Sequence, residues 1–108
     1  MHDCNPRNVR VQTPEWDPEV GIWTGDTWKA VVTIRLRPDV DLVTTDVDFG
    51  VAVLRKRPNR HPLPADVVEL LDVSPISMLD YSLLERRRVE LLRLVSFSDM
   101  MAWAREPL

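Results

Sequence analysis

The sequence predicts an α+β domain in which a small antiparallel sheet over about residues 27–55 is covered by C-terminal helices. Three observations carry this expectation. Apolar residues alternate with period two from Trp28 to Arg37 and again from Leu42 to Arg55, the mark of strands with one buried face. Past the proline-rich stretch near 58–64 the apolar spacing lengthens toward 3.6, as in amphipathic helices. The 108 residues, 44% apolar and 29% charged, suit one globular domain and not a disordered chain. The expected organisation is an arm over 1–26, a β-hairpin over 27–57 and a helical region over 63–106.

The arm is punctuated by proline ("CNP", "QTP", "WDP") and holds one short alternating run, Val9 to Gln12, so it reads as extended chain. Its tryptophans, Trp16 and Trp23, are unusual in a solvated segment. In the hairpin, Trp28, Ala30, Val32, Ile34 and Leu36 are expected on the inner face, with Lys29, Thr33, Arg35 and Arg37 outside. "RPDVD" supplies the turn, and Val43, Thr45, Val47, Phe49, Val51 and Val53 face inward from the second strand. Placing Arg37 opposite Leu42 brings both apolar sets to one face, with Ala30 against Phe49. Gly50 marks a bulge or a close approach by another group.

Helices are expected at about 64–73, 78–95 and 98–105. Pro64 suits a first helical turn, and Val67, Leu70 and Leu71 follow at helical spacing. Ser77 with Asp80 forms a capping-box pattern for the long helix, whose stripe of Tyr81, Leu84, Leu91, Leu92 and Val95 is expected to cover the hairpin. Phe97, Met100, Met101 and Ala104 form the last apolar face. Leu83, Val89 and Leu94 fall off the main stripe, and Arg88 falls within it. A buried arginine must snorkel, pair with an acid or meet a partner.

The chemistry of the chain is sparse. No glycine-rich phosphate loop or G-x-S-x-G elbow is present, and Ser74, Ser77, Ser82, Ser96 and Ser98 sit in cap-like settings. Asp46 and Asp48 share a strand face, read as a solvated surface balanced by Arg35 and Lys29. His2 and Cys4 supply two ligands where zinc needs three or four, and His61 has no cysteine beside it. No enzyme activity, metal, cofactor or small-molecule substrate is therefore expected. A lone cysteine offers no internal disulfide and fits a reducing compartment.

No apolar run approaches the ~20 residues of a membrane helix, and the first ten residues lack the core of a signal peptide. The expected location is the cytoplasm, or an assembly formed there, without membrane contact. Net charge is −3, yet residues 51–64 hold four bases and no acid. In that run Arg55, Lys56, Arg57 and Arg60 are the candidates for a polyanion contact.

These features lead to a non-catalytic interaction or structural subunit of a larger assembly, such as a viral or phage component or an accessory subunit. Its partner is expected to be protein, in a homo-oligomer or hetero-complex. Trp16, Trp23, Leu83, Arg88, Leu94 and Trp103 are the expected contact residues, because the chain carries more apolar surface than one short domain hides. The runner-up is a regulator or inhibitor of one target protein. The third reading is a nucleic-acid-binding module built on the basic loop.

Overall fold

A computed structural model describes residues 1–6, 27–47 and 49–107. Within them the order is α1 (Thr27–Arg35), β1 (Asp41–Thr45), β2 (Val51–Arg55), α2 (Ala65–Val73), a 3₁₀ turn (Ile76–Met78), α3 (Tyr81–Leu92), β3 (Leu94–Val95) and α4 (Phe97–Ala104). The sheet order is β2-β1-β3, with β1 antiparallel to β2 and parallel to β3. The fold class is α+β with a small mixed sheet.

The first expected strand is a helix. Residues 28–36 satisfy two periods at once, because Trp28, Val31, Val32 and Arg35 also recur at i, i+3, i+4 and i+7. Those four are the buried residues of α1. The β-branched run of Val31 to Ile34 favours a strand locally, but packing against α3 decides the outcome. The Thr33 hydroxyl donates back to the Lys29 carbonyl at 2.9 Å, so its side chain is accommodated within the helix. The expected pairing of Arg37 with Leu42 therefore does not form.

The hairpin lies inside what reads as a single second strand. Asp41 pairs with Arg55, Val43 with Val53 and Thr45 with Val51. Its connection contains Phe49 at φ 59° and Gly50 at φ 93°, a left-handed pair of the sort tight hairpin turns use. All five residues of β1 are buried, because it is the central strand and both of its faces are covered. Leu42 and Ala52 join the core of Trp28, Val32, Leu84 and Leu91 on one face, and α4 packs across β1 on the other.

The C-terminal elements follow the expected periodicity with shifted ends. Asp80 caps α3 by accepting from the Ser82 N–H at 3.2 Å, so the helix begins at Tyr81 and the Ser77–Asp80 box does not form. Arg87 interrupts α3 at φ −131°, ψ 31°. Arg93 then ends the helix in a left-handed conformation at φ 50°, and Leu94 and Val95 leave as β3. Ser96 caps α4 by accepting from the Asp99 N–H at 3.1 Å, with the Asp99 carboxylate in the favourable first turn. Among the described residues no helix is long and apolar enough to cross a membrane.

Residues 1–5 line the outer edge of β2. The Met1 amino group donates to the Ala52 carbonyl at 2.9 Å, and the Ala52 N–H donates to the Met1 carbonyl at 2.7 Å. The Cys4 N–H reaches Gly50 at 3.0 Å and the Asn5 N–H reaches Phe49 at 2.7 Å. The segment seals Cys4, and burial pushes its thiol pKa up. Gly50 permits this approach, since a Cβ there would lie 2.6 Å from both the Asn5 Cβ and the Asn5 nitrogen. The rest of the expected arm, with Trp16 and Trp23, lies outside the described residues.

Gly50→Ala is expected to cost more than about 1 kcal/mol, through both the clash and the positive φ. The Cys4 thiol should then react faster with an aromatic disulfide reagent. Unchanged thiol kinetics would count against the close packing of the N-terminal segment on β2.

Candidate functional site

The densest polar arrangement is built around Asp41, the first residue of β1, which is fully buried. Its Oδ2 accepts from Arg57 Nε at 2.8 Å and Trp103 Nε1 at 2.9 Å, and its Oδ1 accepts from Arg93 Nη1 at 2.6 Å. Each donor comes from a different place: the segment after β2, the last turn of α4 and the C-terminus of α3. Burial by itself would push the Asp41 carboxyl up, but these three donors outweigh it and hold the group at about 2.

Further charged groups extend outward from Arg57. Glu106 Oε2 accepts from Arg57 at 3.0 Å and also from Arg60, which completes an Asp41–Arg57–Glu106–Arg60 chain. Arg55 donates to the carbonyls of Trp103 at 2.8 Å and Glu106 at 2.5 Å. The guanidinium groups of Arg55 and Arg57 lie 5.7 and 5.4 Å from the Trp103 ring centre, within cation–π range.

On the far side of Arg93, Arg35 points from the end of α1 toward three carbonyls. It reaches Glu90, Leu91 at 3.1 Å and His61 at 2.6 Å. Glu90 and Leu91 belong to the last turn of α3, whose carbonyls have no partner within the helix. Burial, with Arg93 nearby, lowers the Arg35 pKa to about 10 and leaves it charged at neutral pH. His61 is likewise pushed down, first by burial and then by Arg93.

The expected contact residues are dispersed by this fold. Leu83 (9% exposed) and Trp103 (5%) are turned into the chain's own interior and do not stand out as anchors. Leu94 is half-buried in β3. Arg88 is partly buried and finds its partner within the chain: it donates to Asn5 Oδ1, to the Pro6 carbonyl and, at 2.9 Å, to the Tyr81 hydroxyl.

The expected polyanion loop is largely turned to internal use. Arg55, Arg57 and Arg60 are engaged in this way, and Lys56 is exposed with no partner among the described residues. Asp46 accepts from Asn5 Nδ2 at 2.8 Å, while Asp48 lies outside the described residues. Among the described residues no group of three or more His, Cys, Asp or Glu side chains converges on a cation position.

Sequence reasoning passed over Asp41, Arg35, Arg93 and Glu106. One signal for Asp41 was present: an acidic residue opening an apolar strand, with arginines at alternate positions 55 and 57 of its neighbour. Compared with known protein families, curated proteins and solved structures, the chain matches none.

Open space occurs beside this centre. A groove of about 980 Å³ runs between residues 37–40 and 54–58. Arg37 and Asp39 meet across its rim in a two-bond pair at 3.0 and 2.7 Å.

Asp41→Asn is expected to destabilise the fold by about 3 kcal/mol or more, because Arg93 loses its carboxylate partner in a largely buried position and Arg57 is left with Glu106 alone. Urea unfolding followed by circular dichroism measures this. The folded pKa of Asp41 lies below its ordinary 3.8, so its contribution is complete above that value and vanishes as pH falls through about 2. The wild type should therefore lose on the order of 2 kcal/mol from this group between pH 5 and pH 2, a loss missing from Asp41→Asn.

Proposed function

We propose that the protein is a non-catalytic interaction subunit that takes its place in a larger protein assembly. The observation that carries this reading is apolar exposure on the helical layer. Val73 is 80% exposed, Met78 74%, Val89 62% and Phe97 58%. Scattered exposed leucines are ordinary, but four large apolar side chains left more than half open in so short a chain favour a covering partner. Val73 ends α2 and Met78 ends the 3₁₀ turn, so a six-residue stretch presents two of them.

The disposition of ionisable groups agrees. Asp41 is saturated and sealed, the Cys4 thiol is buried with a raised pKa, and the arginines near them hold carboxylates or carbonyls. Nucleophilic or acid–base work needs a perturbed group that a substrate can reach. Structural use of these side chains favours binding over chemistry. For nucleic acid, the pairing of Arg57 and Arg60 with Glu106 weakens the positive face that phosphates require.

Cross-linking of the tagged chain in its native extract tests the proposal, with the double variant Val73→Asp, Met78→Asp as the comparison. One stoichiometric protein partner, or a second copy, is expected for the wild type. Capture should fall at least tenfold for the variant while its thermal midpoint stays within a few degrees. A wild-type chain that remains uncross-linked at micromolar concentration, in extract and alone, overturns the reading.

A further inference from the structure

The edge of β2 is closed over part of its length only. Ala52 exchanges two hydrogen bonds with Met1 on the side away from β1. Two residues on, the N–H and C=O of Leu54 point the same way, because outward-facing backbone groups recur with period two. No described residue bonds to them. The Leu54 side chain is 39% exposed and lines the 980 Å³ groove with Pro38, Val40 and Pro58.

Charge selects among possible occupants. Arg37 and Asp39 on the rim neutralise each other, and Arg57 is matched by Asp41 and Glu106. Among the described residues Arg55 is bonded only to carbonyl oxygens, and Lys56 is exposed with no carboxylate beside it. Two positive charges thus border the open edge without compensation. A second copy pairing β2 against β2 would bring these cations together, which disfavours a symmetric dimer here.

We propose that the β2 edge at Leu54 receives an acidic protein segment in extended conformation, added to the sheet as a further strand. This rests on the reading of the chain as an interaction subunit, and it names one partner chemistry and one surface for it. Main-chain bonds to Leu54 supply register, the groove takes an apolar side chain of the segment beside Leu54, and its carboxylates face Lys56 and Arg55. A phosphate backbone cannot donate to the Leu54 carbonyl, and among the described residues no aromatic ring lines the groove to stack a base.

Fluorescence anisotropy of a labelled peptide, Asp-Val-Glu-Val-Asp-Val-Glu-Val, tests this on the full chain. Saturable binding is expected. N-methylation of alternate amides on the pairing side should weaken it about tenfold or more, since the donor to the Leu54 carbonyl is lost and the methyl group obstructs the approach of the two backbones. Lys56→Glu should weaken it about tenfold at low salt, and the matched Lys-Val peptide should not compete. No binding of the acidic peptide, equal binding of its N-methylated form, or tighter binding of a single-stranded oligonucleotide overturns the proposal. Capture of a partner that Val73→Asp, Met78→Asp abolishes but Lys56→Glu leaves intact removes this edge as the docking site and keeps the broader reading.

Discussion

A single carboxylate organises this molecule. Asp41 opens the central strand with no exposure to solvent, and its two oxygens gather donors from the β2 exit, the end of α3 and α4. Removing a charge from water carries a cost of several kcal/mol, so the position is tolerable only when every lone pair is met in good geometry. That requirement works across the fold. The α3 terminus, the segment after β2 and the α4 face must all arrive together for the charge to be satisfied. The apolar core on the other side of β1 supplies cohesion, whereas the Asp41 centre supplies register between elements far apart in the chain.

Arginine is suited to this work because its planar fork bonds several acceptors while staying protonated. Arg35 spans from α1 to the last carbonyls of α3, Arg57 joins Asp41 to Glu106, and Arg88 ties α3 to the residues just after the N-terminus. The excess of arginine over lysine, twelve to two, therefore serves internal bonding: nine of the ten arginines among the described residues donate to a carbonyl, carboxylate or hydroxyl of the same chain. Its consequence for binding is that most cationic side chains are committed before any partner arrives, and apolar surface together with one strand edge remains on offer.

The sequence was legible where local pattern and tertiary demand agreed. The three C-terminal helices follow from 3.6-residue spacing, and their ends differ by a few residues because Asp80 and Arg93 act as caps. Gly50 was legible as a close approach, made by Asn5. Residues 28–36 were not, because Trp28 and Val32 serve either period and the deciding residue, Arg35, is charged. A pattern reader sends Arg35 to solvent; three carbonyls contributed by distant residues make its burial favourable. The same blindness hid Asp41 and the internal bonds of Arg55, Arg57 and Arg60. A buried charge is visible in sequence only when its partner is adjacent, and here the partners lie 16 and 52 residues away.

Arg93 binds two requirements into one residue. Its backbone takes the left-handed turn that releases β3 from α3, a conformation that disfavours side chains larger than glycine by roughly 1–2 kcal/mol. Its side chain meanwhile neutralises Asp41 and reaches the Leu42 carbonyl. Glycine would relax the torsion and forfeit the cation; lysine would keep a cation and surrender the fork, with the torsion unrelieved. Neither exchange improves both ends of the residue, so position 93 marks a local optimum that drift among descendants of this chain can leave only if Asp41 changes as well.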